Sequence, residues 1–367
     1  MIAEHPNGTL FVAGYGEPRP TLWRSGDRGA TWTRVDVGTE AQGAIGNSDV
    51  DLAISRDGTV YFVSMLFDRS VGEGRQIVVG VSSDAGATWS WTTISKTRFD
   101  DRPWIEVTPD GAAHVIWNDG SGVSYRMTRD RGVTWSQRAR IHEPGGSSHL
   151  AVGPNCELAV RIAPASASGH KLDSRVDLIA VSIDGGSSWQ KHAAPAQQEW
   201  SPLGTPGVIP RWVEPLAWDE TGALYSLWTD TTGVRLARSA DRGITWTSWQ
   251  VANSPGASFY PYLVARDRGH LAATWFSTTS PTADLQWHVA EIDVDKGNAA
   301  PRVAESSTRS LESWRTHPGQ GATLFPDTGG EYIALAFLRD GGIGVVTTIQ
   351  NPGKTRMGFT WWRFATQ

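Results

Sequence analysis

The chain has 367 residues, 39% of them hydrophobic, which is enough for one large β-domain or two ordinary ones. Charged residues make up 19% and the net charge is −5, with acids and bases interspersed, so no basic stripe is offered to phosphate and nucleic acid is not an expected partner. A single cysteine, Cys156, excludes an intrachain disulfide framework and a cysteine-rich zinc site, and no apolar run reaches the roughly 18 residues of a spanning helix.

In chain order, the first segment "MIAEHPNGTLFVAGYG" reads as a strand, a polar turn and a second strand. It lacks the basic and apolar regions of a signal peptide and starts abruptly in a strand, so a secreted or extracytoplasmic location is favoured if this is a trimmed mature chain. Asn7 to Thr9 matches a glycosylation sequon by pattern alone. The same apolar–turn–apolar pattern returns as "VDLAISRDGTVYFVSM", "WIEVTPDGAAHVIWN", "HLAVGPNCELAVRIA", "PLAWDETGALYSLWT", "YLVARDRGHLAATWF" and "TLFPDTGGEYIALAFL", seven copies in all.

A second repeat interleaves with the first. "SGDRGATW" recurs as "SSDAGATW", "TRDRGVTW", "SIDGGSSW" and "SADRGITW", a frame of Ser/Thr-x-Asp-x-Gly-x-Thr/Ser-Trp around Asp27, Asp84, Asp130, Asp184 and Asp241. Each copy lies between two apolar stretches, which places it on a hairpin turn. There the carboxylate accepts turn N–H groups, the Gly adopts positive φ without a Cβ clash, and the Trp packs an apolar face against a neighbouring unit. The sixth unit keeps a worn turn at Asp295 and Gly297, and the seventh has Asn351 in place of the acid with Thr360-Trp361 displaced.

Two hairpins per unit make four strands in about 50 residues, the size of a propeller blade. The expectation is an all-β, single-domain, seven-bladed β-propeller of four-stranded antiparallel blades with almost no helix, a six-bladed arrangement being the alternative. The approximate blades are 1–47, 48–99, 100–145, 146–210, 211–257, 258–321 and 322–367.

The five turn motifs resemble the Asp-boxes, or BNR repeats, of the sialidase superfamily of β-propellers, and the resemblance spans essentially the whole chain. It implies turns between the third and fourth strands of a blade, with a structural role at the rim, and it implies ligand binding at the mouth of the central channel, where the first strands of the blades begin. The residues at these strand heads are Asp49, Asp51, Asp100, Asp101, Arg102, Trp104, His149, Arg211, Trp212, Glu214, Tyr260, Tyr262, His317 and Gln320. Acids, arginines, aromatics and histidine are the mixture of a polar, carbohydrate-binding funnel.

Sialidases use three arginines on a substrate carboxylate, an aspartate acid/base and a tyrosine nucleophile activated by a glutamate. By that resemblance Asp101 is the acid/base, Arg102 and Arg211 belong to the carboxylate clamp, and Tyr260 with Glu214 is the nucleophile pair. The Arg-Ile-Pro signature is absent, the nearest text being "VIPRW", and no third arginine is evident. A polysaccharide lyase is the second catalytic reading: His149 or Tyr260 as base, with Arg102 or Arg211 neutralising a uronate carboxylate. The non-catalytic alternative makes Trp104, Trp212, Tyr260 and Tyr262 stacking platforms, or part of a surface for a protein partner. Asp49, Asp51, Asp100 and Asp101 lack the dense ligand spacing of a calcium loop, so neither metal nor cofactor is expected. The function expected is a sialidase-like, carbohydrate-active or carbohydrate-binding propeller whose partner is a glycan or small acidic sugar. Loops within 163–178 and 197–210, and two more in the sixth unit, are the variable decorations.

Overall fold

Alternating runs of Val, Ile, Leu, Phe and Trp, broken by Gly- and Asp-bearing turns, favour short antiparallel strands that can bury both faces. The computed structural model describes residues 1–14, 19–163, 176–195, 214–230, 232–254, 256–279, 285–294, 299–311, 333–349 and 358–365. The fold is an all-β, seven-bladed propeller in which each strand hydrogen-bonds to the next in sequence. The sheets span residues 2–34, 50–95, 100–142, 146–193, 216–253, 257–311 and 333–364, the last showing three strands among the described residues. One 3-10 turn, Glu40–Gln42, is the helical content of the described residues. The chain divides into two compact units, Met1–Lys191 and His192–Gln367. Asp295, Gly297 and Asn351 of the worn turns lie outside the described residues.

Within the first unit the sheets pack face to face through apolar seams. Phe11 and Leu22 of the first sheet meet Leu52 and Phe62 of the second. Tyr61, Val63, Met65 and Ile77 on the opposite side of the second sheet meet Ile105, Val115 and Trp117 of the third. Trp117 is fully buried, and hiding a side chain of this kind contributes about 1.5–3 kcal/mol. The second unit repeats the arrangement, with Tyr225, Leu227 and Leu236 of the fifth sheet against Leu263, Leu271, Trp275 and Ile292 of the sixth.

The five repeated turns connect third and fourth strands and share one hydrogen-bond pattern. In the first, the Ser25 hydroxyl donates to Asp27 Oδ1 (2.7 Å) and accepts the Gly29 N–H (2.8 Å). Asp27 then accepts the Thr31 N–H (2.8 Å) and the Thr31 hydroxyl (2.5 Å). The same contacts recur at Asp84, Asp130, Asp184 and Asp241. These bonds, led by the Thr31 and Thr88 hydroxyls, hold Asp27 and Asp84 down to about 2. The indoles of Trp32, Trp89 and Trp246 close the loop by donating to the Gly29, Gly86 and Gly243 carbonyls. Trp189 turns edge-on to Tyr125 of the neighbouring sheet, 5.6 Å between centroids.

Two consecutive left-handed residues make each turn, Arg28-Gly29 and Ala85-Gly86 being examples, while the fourth copy uses Gly185-Gly186. Gly186 sits against the Tyr125 hydroxyl, which donates to the Gly185 carbonyl (3.2 Å) and lies 2.8 Å from His114 Nδ1. A Cβ at Gly186 would fall 2.0 Å from that hydroxyl oxygen, whereas Gly8 has the same φ of +86° and nothing within 4 Å. Gly8→Ala is therefore expected to cost about 1–2 kcal/mol from backbone strain alone. Gly186→Ala adds a steric penalty of about 1–3 kcal/mol. Parallel denaturant titrations check this, and equal losses for the two variants would remove Tyr125 from the account.

Candidate functional site

The first strands of the third, fourth and sixth sheets are each interrupted near their heads by a β-bulge. In the third sheet Asp101 pairs with Asn118 and Trp104 with Ile116, so Arg102 and Pro103 together face Trp117. In the sixth, Phe259 pairs with Phe276 and Tyr262 with Thr274, leaving Tyr260 and Pro261 opposite Trp275. In the fourth, Ser147 pairs with Ile162 and His149 with Arg161, with Ser148 the extra residue. Arg102 and Tyr260 occupy the left-handed region, at φ +49° and +51°. That conformation costs a non-glycine residue about 1–2 kcal/mol, and a following proline disfavours it further. Such strain persists only where the surrounding structure enforces it, and it gathers at functional sites.

The bulge changes which side chains share a face. Three residues apart on a regular strand, Asp101 and Trp104 would leave opposite sides; here both lie beside the seam with the fourth sheet. Trp104 meets His149 there, their rings 4.9 Å apart at 60°. Asn118 Oδ1 accepts both the Ser147 N–H (2.7 Å) and the Ser147 hydroxyl (3.0 Å). Arg161 stands directly across from His149 on the next strand, so the two side chains leave the sheet on the same side. Its guanidinium Nη2 is 2.6 Å from Asp177 Oδ1, both groups being 2% exposed. Arg102 Nε is 3.8 Å from Asp101 Oδ2, an ion pair beyond hydrogen-bond length.

Asp101, Arg102, Trp104, Asn118, Ser147, His149, Arg161 and Asp177 are all buried. Burial pushes His149 down to about 3, so its ring is neutral near pH 7 and one nitrogen carries a free lone pair. Burying charges and amides in this density is expensive, and apolar side chains of similar volume would stabilise the seam as well or better. The cost points to a site.

Two further carboxyls lie nearby, Asp51 on the first strand of the second sheet and Glu106 on the first strand of the third. Asp51 accepts the Leu52 N–H (2.7 Å) and the Ile105 N–H (2.9 Å), tying the second sheet to the third. Burial pushes Asp51 up to about 7. Glu106 keeps a partial opening to solvent although protein encloses it on most sides; burial, then the charge of Asp51, pushes it up to about 8. Asp100 is occupied in closing the link between sheets, accepting the Ser95 hydroxyl (2.8 Å) and the Thr97 N–H (2.8 Å). Asp49 is half-buried, and its carbonyl accepts the Met65 N–H (3.0 Å). Among the described residues no group of three or more His, Cys, Asp or Glu is arranged to hold a metal ion. None of the described helices is long and apolar enough to cross a membrane.

The structure thus gathers four of the expected residues, Asp101, Arg102, Trp104 and His149, into one seam of the first unit. Glu214, Tyr260 and Tyr262 belong to the second unit, where all three are buried and Tyr260 packs perpendicular to Phe259 at 5.4 Å. Arg211, Trp212, His317 and Gln320 lie outside the described residues. Sequence reasoning passed over Asn118, Ser147, Arg161, Asp177 and Glu106. Arg161 had left a signal, a lone cation within the apolar run "LAVRIA".

No family profile and no curated protein matches the sequence. Among solved structures the chain is similar to the polysaccharide lyase PL25 ulvan lyase bound to -[GlcA(1-4)Rha3S]-, with TM-score 0.56 and 12% identity over 99% of this chain and 91% of that one. It is also similar to the polysaccharide lyase Uly1, with TM-score 0.55 and 11% identity over 99% and 89%. The intramolecular trans-sialidase from Ruminococcus gnavus in complex with oseltamivir carboxylate matches with TM-score 0.47 and 12% identity over 99% and 93%. At these identities the likeness is one of fold.

Because the folded state raises the Asp51 and Glu106 carboxyls above their ordinary values of 3.8 and 4.5, it binds more protons than the unfolded chain between those values and about 7 to 8. Their contribution is fully present below the ordinary values and is lost as pH rises through the raised ones. Glu106→Gln, which cannot ionise, is expected to melt higher than the unsubstituted protein near pH 8, with the gap closing towards about pH 4.5. Thermal melts across that range check it; a gap that is constant with pH would show that folding does not raise the Glu106 carboxyl.

Proposed function

We propose that the protein is a carbohydrate-active propeller that cleaves an acidic glycan by β-elimination at the seam between its third and fourth sheets. One observation carries the reading: a neutral, buried histidine, His149, lies against an indole, Trp104, with buried arginines on both flanking elements. A uronate needs this combination. Its C5–H becomes removable once a cation neutralises the adjacent carboxylate, because the developing charge spreads onto the carboxyl oxygens.

Arg161 is engaged by Asp177, and burial keeps His149 unprotonated. Arg102, next to Asp101 at the strand bulge, is the guanidinium assigned to the sugar carboxylate. The unprotonated nitrogen of His149 takes the C5 proton, the C5–H electrons form a C4–C5 double bond, and the C4–O bond breaks, its oxygen taking that proton back from His149 as it leaves. A value near 3 makes His149 a weak base in the free protein; a bound anion beside the ring raises it towards the working range. Trp104 offers a sugar ring an apolar face. The polysaccharide-lyase identities of the two similar structures agree with this chemistry.

The test is ultraviolet absorbance of the unsaturated uronate during incubation with glucuronate-containing polysaccharides, run beside a fluorogenic sialoside. His149→Ala is expected to lower kcat by about 10²–10⁴-fold while the glycan still binds. Sialoside hydrolysis that depends on Asp101 and Tyr260 would replace this reading with a sialidase-like one, and glycan binding without turnover of either substrate would replace it with a binding role.

A further inference from the structure

We propose that Asn118 selects the acidic group of the sugar by donating its side-chain N–H pair to an anionic oxygen of the ligand. This rests on the seam being an acidic-glycan site and names the residue that makes it selective.

Asn118 is 0% exposed. Its amide orientation is determined by its partner. The Ser147 backbone N–H can only donate, and at 2.7 Å it requires the carbonyl oxygen of Asn118, so a flipped amide would set two donors against each other. The Ser147 hydroxyl bonds the same oxygen at 3.0 Å. Nδ2 is thereby directed away from Ser147, and it meets no acceptor among the described residues.

Its surroundings explain why. Asp119, the next residue, already receives Arg140 Nη1 and Nη2 at 2.6 and 2.8 Å and the Ser124 hydroxyl at 2.7 Å. Trp117, the residue before, faces the other way into the apolar seam with the second sheet. Directly across the strand pair are Asp101 and the left-handed Arg102 that pairs with it. Two buried N–H groups without an acceptor are costly to the folded protein, and an apolar residue at this position would carry no such cost. An oxygen from outside the protein meets the need. Beside a guanidinium, a pair of amide donors favours an anionic oxygen, carboxylate or sulfate, over a neutral hydroxyl. The strand position of Asn118, one register step from the bulge that carries Arg102, puts both donors at the same end of the seam.

The experiment compares glucuronate with glucose, its neutral counterpart, by calorimetric titration of the whole protein. Asn118→Asp keeps an acceptor for Ser147 and replaces the donor with oxygen. Glucuronate affinity is expected to fall at least 10-fold and glucose affinity to stay within about 2-fold. A lowered Tm with the glucuronate-to-glucose ratio unchanged would make Asn118 structural and overturn the inference while leaving the acidic-glycan reading intact. Absence of any preference for glucuronate in the unsubstituted protein would overturn both. If the variant does not fold, the side-chain N–H resonances of Asn118 in the unsubstituted protein decide: a downfield shift with glucuronate and none with glucose is expected, and no shift with either rejects the assignment.

Discussion

A four-stranded antiparallel sheet built from Val, Leu, Phe and Trp has two apolar faces and no way of hiding either alone. Each sheet of this protein therefore exists by courtesy of its neighbours, and the seams between sheets set the terms for everything else. In the first unit, Ala113, Val115 and Trp117 close one face of the third sheet's second strand, while His114, Ile116 and Asn118 take the other. The first of these faces is dry and carries the stability. The second is where polar side chains are admitted, paired within the sheet or across the seam: His114 to Tyr125 in the same sheet, Asn118 to Ser147 in the next.

Much of this was legible in the sequence, because repetition converts weak local signals into a strong one. Five copies of one turn frame implied a carboxylate that accepts turn N–H groups, and Asp27, Asp84, Asp130, Asp184 and Asp241 each accept one; the hydroxyl bonds beside them are the structure's addition. Seven apolar hairpins implied seven sheets. The strand heads "DDRPW" and "SSH" supplied Asp101, Arg102, Trp104 and His149, which the structure brings to one seam.

What escaped sequence reading is a consequence of register. Alternation assigns faces by parity, and a bulge resets the parity without altering composition. Asp101 and Trp104 share a side of the sheet that their spacing denies them, and the same bulges set Asn118 across from Asp101 and Arg161 across from His149. Both lie on second strands, where a polar residue in an apolar run reads as an imperfection in the core. Asp177 was hidden for a different reason: it flanks an apolar strand in sequence, and only the ion pair with Arg161 at 2.6 Å gives it a role.

The left-handed residue before proline appears in both units, as Arg102-Pro103-Trp104 and as Tyr260-Pro261-Tyr262. Its backbone conformation limits the vocabulary of the position. Val, Ile and Thr are excluded by their branched Cβ, and only Gly, Asn and Asp tolerate the region readily. A guanidinium or a phenol is kept there against the grain of its own backbone. Changing the chemistry presented here is consequently a problem of exchanging three-residue units together with the strand opposite them, since the side chain at the head of each unit cannot be varied independently of the bend that presents it.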